Sequence, residues 1–306
     1  MTARIVRAAA VQAAPVMLDL AATLVRLDDW TARAAAKNAD LVVFPETWIP
    51  GYPAWLDLAP DAARFGHDGA KRLFARLFEN SVEVPGPAAD TIAGIARTHQ
   101  VTLVVGVHER AGRSLYNTML VFGPDGSIRN RHRKLIPTYG ERLIWAQGDG
   151  DGLRVVETPA GRLGGLICWE HWMPLARQAL HDQQEEIHVA LWPEIKEMYQ
   201  VASRHYAFEG RCFVVAAGSI QRRADLPAEL PVPPVNGDGP GDLIVAGGSA
   251  IIGPAGQYLV GPVYGEETIL VADLDLAEIA RESLLLDVSG HYSRPDVFKL
   301  EVSRGR

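Results

Sequence analysis

The sequence predicts an α/β fold built as one domain with many strands, and three observations predict it. Apolar stretches of strand length alternate with stretches whose apolar residues recur three or four positions apart. Several neighbouring strand candidates are joined by turns rich in Pro, Gly and Asp, so antiparallel hairpins lie among them. No linker and no short-period repeat divides the 306 residues. The expected domain spans 1–306, with a core of about 4–298 and a short tail over 299–306.

Taken in order, "IVRAAAVQA" from Ile5 is a strand candidate. "LAATLVRLDDWTARAAAKNA" follows with helical spacing at Leu20, Leu24, Leu27 and Trp30. "DLVVFPE" reads as a buried strand that ends at Glu46. "PAADTIAGIARTHQ" is a helix and "VTLVVGVHE" a strand. "YNTMLVFGPDGSIRNRHRK" is a hairpin turning at Pro-Asp-Gly, and "LRVVETPAGRLGGLIC" is a second hairpin running up to Cys168. The helix "PLARQALHDQ", the strand "IHVALWP", the helix around "YQVASRHYAFEG" and the strand "CFVVAAGSI" come next. Residues 222–242 are rich in proline and glycine and read as an irregular surface loop. Two hairpin strands, the strand "TILVADLD" and the short helix "LAEIARESL" complete the chain.

Composition narrows the function classes. The chain is 48% hydrophobic and 22% charged, ordinary for a protein with a substantial core. Thirty basic against 37 acidic residues give a formal charge of −7. No basic stripe is present, which argues against nucleic acid and anionic membrane as partners. The uncharged run from Leu243 carries six glycines and two prolines, so it reads as two strands and a turn rather than a membrane span. Cys168 and Cys212 are too few for a disulfide framework. The opening "MTARIVRAAAVQAAP" lacks the pattern of a secretory signal. A soluble, reduced, cytoplasmic protein is expected.

Strand ends are where α/β folds place chemistry. Glu46 ends "LVVFPE", Lys134 closes "RNRHRK", and Cys168 ends "GGLIC" just before the helix start at Pro174. A buried structural cysteine, a capping glutamate and a lysine on a solvated basic face would explain each singly. Together they suit acyl transfer on a thiol. The thiolate is the nucleophile, and a carboxylate can take its proton. A carboxylate alone raises the thiol's pKa; a lysine ammonium offsets that and donates to charge developing on the substrate.

"FPETWIPGYP", "HRKLIPTYGERLIWAQGDG", "GGLICWEHWMPL" and "GHYSRPDVF" together resemble the carbon–nitrogen hydrolase (nitrilase) superfamily, and within it the true nitrilase branch. The likeness covers nearly the whole chain. It implies an αββα sandwich that pairs into αββααββα dimers. It also implies Glu46 as general base, Lys134 as electrostatic stabiliser, Cys168 as nucleophile, and Glu141 in "YGER" as a supporting carboxylate. Trp169 would form part of the pocket wall. The implied substrate is a small-molecule nitrile, hydrolysed to acid and ammonia without a cofactor. An amidase or a cyanide- or nitrile-hydratase-type enzyme with the same residues stands as the alternative. A catalytically silent scaffold is disfavoured by the four competent side chains.

Tyr52, Trp192 and Pro193 are further pocket candidates, with a structural turn the alternative for Tyr52 and core packing for Trp192, and His171 is expected in the pocket or directly behind it. Glu170 is expected to serve structure, and Cys212 to lie in the core. Cys168 and His171 have zinc-compatible spacing, but no second ligand pair accompanies them, so no metal is expected. Neither "QGDGDG" nor "NGDGPGD" matches a calcium loop. G-x-S-x-G, Walker and dinucleotide fingerprints are missing. Only "KLEVSRGR" follows Phe298, which favours a closed homodimer or a small assembly of dimers. Its helices after Cys168 would form the contact, and the tail could cross to a neighbour.

Overall fold

The computed structural model describes residues 4–233 and 242–305. In chain order the elements are β1 (Ile5–Gln12), α1 (Leu20–Ala35), β2 (Leu41–Val43), α2 (Trp55–Leu58), α3 (Asp68–Glu79), α4 (Pro87–His99), β3 (Thr102–Ala111), β4 (Ser114–Phe122) and β5 (Ile128–Arg133). Then come β6 (Val156–Thr158), β7 (Gly161–Ile167), α5 (Pro174–His181), β8 (Ile187–Leu191), α6 (Glu197–Gly210), β9 (Phe213–Ala217) and β10 (Ile220–Arg222). The last are β11 (Leu243–Ile252), β12 (Tyr258–Tyr264), β13 (Thr268–Asp275) and α7 (Ala277–Glu282).

Two mixed sheets result. The first has the order β13-β1-β2-β3-β4-β5, and its middle strands β1, β2 and β3 are parallel. The second has the order β10-β11-β9-β8-β7-β6 with β12 paired to β11, and its parallel centre is β7-β8-β9. Strand alternation sends the two faces of the first sheet into different cores. Ala8, Ala10, Leu41, Val43 and Val104 share a core with Leu163, Leu166 and Val189 of the second sheet. Ala9, Val11, Val42, Leu103 and Val105 pack against Leu27, Trp30 and Ala34 of α1 and Ile92, Ile95 and Ala96 of α4. The outer face of the second sheet is covered by α5 and α6 through Ala176, Ala179, Leu180, Ala202 and Tyr206. The layers are therefore helix, sheet, sheet, helix, the expected αββα sandwich. Strands buried on both faces must be nearly all apolar, as "LVV" and "FVVAA" are.

The hairpins, α1 and α4–α6 stand where the sequence predicts them. Helices α2 and α3 were not predicted. Leu73 and Leu77 of α3 bury against Trp55, Leu115, Trp145 and Leu230 in a third, smaller core. Leu230 also corrects the reading of 222–242 as a plain surface loop. That stretch opens with the end of β10 and a 3₁₀ turn, Arg223–Asp225, and its Leu230 is buried under α3. Residues 234–241 of the stretch lie outside the described residues. The C-terminal tail does not reach away. Leu300 and Val302 pack on the chain's own core, and Gly305 N–H donates to Asp151 Oδ1 at 2.6 Å.

Candidate active site

Three backbone segments deliver Glu46, Lys134 and Cys168 to one point at the ends of the two sheets. Glu46 lies three residues past β2, Lys134 one past β5, and Cys168 one past β7. All three side chains are buried. Lys134 Nζ donates to Glu46 Oε1 at 2.9 Å and to Glu141 Oε2 at 2.7 Å. Single oxygens of Glu46 and Glu141 and the Cys168 sulfur all lie within 4.8 Å of one another.

Local structure explains each placement. Glu46 can turn inward because Gly106 of β3 runs beneath it. A Cβ at Gly106 would lie 2.3 Å from the Pro45 carbonyl oxygen, 2.4 Å from Thr47 N and 2.8 Å from Glu46 Cα. Gly148 similarly makes room for the backbone at Lys134, whose carbonyl oxygen would stand 2.7 Å from its Cβ. Glu141 sits in the 3₁₀ helix Tyr139–Leu143, where Thr138 N–H donates to its Oε2 at 2.7 Å. Tyr52 hydroxyl donates to its other oxygen at 3.0 Å. Cys168 starts the 3₁₀ helix Cys168–Trp172 with φ of +53°, a left-handed conformation unusual for a side chain and common at reacting groups.

Glu170 braces both sheets. Its Oε2 accepts from Ile167 N–H at 2.7 Å and its Oε1 from Leu135 N–H at 2.8 Å, while His132 approaches at 2.9 Å. One carboxylate thus holds the residue before Cys168 and the residue after Lys134, and it also borders the cavity.

The electrostatics follow from burial. Glu46 is pushed up to about 7, chiefly by burial; Lys134 pulls it back and Glu141 adds to the rise. Its Oε1 accepts from Lys134 and also from Asn117 Nδ2 at 2.6 Å. Its Oε2 has no partner among the described residues. Burial opposes the Lys134 charge, but the anionic groups around it outweigh burial and hold it protonated. The Cys168 thiol is raised well above its ordinary value, first by burial and then by Glu46, against the pull of Lys134 and of a Trp169 N–H hydrogen bond. The lysine's offset, expected to lower the thiol, is therefore incomplete. The resting sulfur is a thiol beside a carboxylate that can accept its proton.

A cavity of about 820 Å³ opens over the sulfur. Tyr52, Trp169 and Pro193 line it, together with Glu141. His171 and Trp192 do not. Trp192 is fully buried, stacked between His171 (4.8 Å between ring centres) and Tyr199 (4.9 Å). Tyr199 takes the wall position, alongside Met173 and Ile136, none of which the sequence singled out. His171 turns away from the cavity, toward the Cys168 carbonyl and His188. Asn117 was also missed: it lies inside a buried strand, and only an asparagine amid the apolar run "YNTMLVF" marks it. Cys212 is buried in the core as expected.

A buried thiol, two carboxylates and an ammonium, set at one end of a two-sheet sandwich under an open cavity, form a centre equipped for cysteine-based attack on carbon–nitrogen bonds. The carbon–nitrogen hydrolase family model matches residues 7–281, and the chain belongs to that family, among its nitrilases. It is 43% identical over 303 residues to the bifunctional nitrilase/nitrile hydratase NIT4A of Lupinus angustifolius, covering 97% of this chain and 86% of the relative. It is 41% identical over 296 residues to the aliphatic nitrilase of Sinorhizobium fredii (strain HH103), covering 97% and 95%. Among solved structures, a carbon–nitrogen hydrolase from Helicobacter pylori G27 shares the fold at a TM-score of 0.74 and 21% identity, covering 96% and 97%. An amidase from Nesterenkonia sp. does so at 0.63 and 21%, covering 91% and 96%.

The close passage at Gly106 gives a test. Gly106→Ala forces Cβ into backbone that cannot swing aside. Stability should fall by about 1–3 kcal/mol in urea titrations. The kcat should drop far more than KM changes, because Glu46 is displaced. Unchanged kcat would contradict this account of how Glu46 is placed.

Proposed function

We propose that this chain is a nitrilase, hydrolysing an organic nitrile to its carboxylic acid and ammonia at Cys168. The observation that carries the reading is the Glu46 carboxyl within 4.8 Å of the Cys168 sulfur, its Oε2 without a partner among the described residues, with Lys134 bridging Glu46 and Glu141. The similarity to nitrilases over nearly the whole chain supports the same activity. The domain is proposed to act as one catalytic unit.

Glu46 takes the thiol proton as the sulfur adds to the nitrile carbon. One carbon–nitrogen π pair moves to nitrogen, which receives that proton from Glu46, and a thioimidate forms. Glu46 then takes a proton from water as its oxygen adds to the same carbon. Proton transfer to nitrogen and cleavage of the carbon–nitrogen bond release ammonia and leave a thioester. A second water hydrolyses the thioester, giving the acid and restoring the thiol. Lys134 and the Trp169 N–H stabilise the negative charge formed at each addition; one such donor is worth roughly a hundred- to a thousandfold in rate. Breaking the carbon–sulfur bond of the first tetrahedral intermediate instead yields the amide. The bifunctional name of the Lupinus relative makes that branch the second reading. No step of this route calls on a metal or cofactor.

Among the described residues no helix is long and apolar enough to cross a membrane. Both cysteines are free, in keeping with a cytoplasmic setting. Exposed large apolar side chains on the outer helices, Leu175 of α5 and Met198, Val201 and Phe208 of α6, with Trp172 just before α5, support the two-fold dimer. Light scattering coupled to gel filtration should find a dimer or a small even multiple; a fully active monomer would end that proposal.

Cys168→Ala should abolish acid and amide formation from aliphatic, aryl and arylacetonitriles while leaving the thermal midpoint near wild type. Cys212→Ala should keep most activity. Residual nitrile turnover by folded Cys168→Ala would overturn the mechanism. The pH profile is a separate check. The base works ionised, and Glu46 sits at about 7 rather than in the usual carboxylate range. So kcat/KM should rise with pH along an acid limb centred near 7. A limb near the ordinary carboxylate value would remove Glu46 from the role.

A further inference from the structure

Behind Cys168, on the side away from the cavity, a row of buried titratable groups runs through the second sheet, and the mechanism above does not use it. His171 Nδ1 lies 2.7 Å from the Cys168 carbonyl oxygen, and its Nε2 lies 3.0 Å from His188 Nε2. His188 Nδ1 lies 3.0 Å from Glu185 Oε2. Tyr206 hydroxyl donates to Glu185 Oε1. His181 stands 3.3 Å from both Glu185 and Glu209, and Arg177 pairs with Glu209 at 2.7 Å.

Hydrogen-bond arithmetic fixes the direction of this row. A carbonyl only accepts, so His171 carries a proton on Nδ1. Burial and the neighbouring His188 hold His171 well below its ordinary pKa, so its ring is neutral and Nε2 is bare. His188 must then donate from its own Nε2. Its Nδ1 lies against Glu185, which braces the ring from the other side. Along the row from Glu185, the donors of His188 Nε2 and His171 Nδ1 both point toward Cys168.

The far end of the row is the peptide between Cys168 and Trp169. A peptide is planar, and its C=O and N–H point in opposite directions. Here the oxygen is held by His171, and the Trp169 N–H on the opposite side of the peptide is a donor that lowers the thiol's pKa. Fixing the oxygen fixes the direction of the N–H. Drawing electron density to the oxygen also makes the N–H a stronger donor. The backbone at Cys168 is itself in the left-handed region, which persists only where neighbouring contacts over-determine it. We propose that His171, braced by His188 and Glu185, is a positioning residue that aims and polarises the Trp169 N–H for the charge formed when Cys168 attacks. The role rests on Cys168 being the nucleophile.

Two substitutions separate the hydrogen bond from the packing. His171→Phe keeps a ring to stack on Trp192 but removes the donor. His171→Asn restores an N–H near the position of Nδ1. The expected result for His171→Phe is a kcat lower by roughly ten- to a hundredfold, with KM within about threefold of wild type. His171→Asn should return to within about fivefold of wild type. Alkylation of Cys168 by iodoacetamide, which needs no nitrile, should slow in His171→Phe and recover in His171→Asn. Wild-type kcat and alkylation in folded His171→Phe would overturn the proposal. So would a folded His171→Asn as slow as His171→Phe. Should His171→Phe not fold, His188→Leu decides, since it leaves the His171 ring without its brace. A severalfold loss in kcat at unchanged KM supports the role, and unchanged kcat overturns it. If the wild type alkylates in this pattern yet turns over no nitrile, the nitrilase reading fails while the positioning role stands.

Discussion

The site is organised around one buried ammonium. Lys134 has almost no contact with solvent, and removing a charge from water costs several kcal/mol unless partners replace the water. Glu46 and Glu141 supply those partners at 2.9 and 2.7 Å. Each carboxylate is in turn held from elsewhere, Glu46 by Asn117 of β4 and Glu141 by Tyr52 and Thr138 N–H. The ammonium therefore ties together the ends of β2 and β5, strand β4 and the segment over 138–143. Breaking either pair would leave an uncompensated charge in the interior, so the geometry of these segments is enforced by electrostatics as much as by packing.

The ammonium belongs to the first sheet and the sulfur to the second, so something must hold the sheets in register. The shared core of Ala8, Leu41, Val104, Leu166 and Val189 presses them together but does not favour one sliding position strongly, because apolar contact is not directional. Glu170 supplies direction. Its two oxygens take N–H groups from Leu135 beside Lys134 and from Ile167 beside Cys168. Burial opposes its charge, but His132 and these two amides outweigh burial and keep it ionised, with its pKa below the usual value. A protonated acid would lose one of these acceptor positions.

Much of this was legible in the sequence, for identifiable reasons. Glu46 and Cys168 close apolar runs, so their chemistry stands out against the residues before them. Lys134 was visible only through its company, since "RNRHRK" alternates Arg131 and Arg133, which both pair with Glu109, with His132 and Lys134, which are buried at the site. Asn117 and His188 sit inside strands buried on both faces, where period-two alternation gives no clue to which face matters. Trp192 was named for the wall and Tyr199 was not. The strand end does aim at the cavity, but the tryptophan lies one layer too deep and the helix above it presents the tyrosine. Helix α3 was legible in principle, with Leu73 and Leu77 four apart. Its helical spacing is real but its core is local, with Leu230 arriving from a stretch that reads as loop.

A raised thiol pKa looks like a poor choice for a nucleophile, yet the charge count of the site favours it. The Lys134 ammonium, the two carboxyl groups of Glu46 and Glu141 and the thiol share one total charge. Moving the proton from sulfur to Glu46 leaves that total unchanged. Attack therefore requires no new charge to enter a buried site; it relocates one that burial has already accommodated, across at most 4.8 Å. Intrinsic nucleophilicity of a thiolate rises with its pKa, so the ion freed at the moment of attack is a stronger nucleophile than a low-pKa thiolate, though a scarcer one at rest. The arrangement works if Glu46 can hold the proton, and a carboxyl raised to about 7 can do so where an ordinary one would give it up. The same burial that raises the thiol raises its base, because both groups are enclosed beside one ammonium.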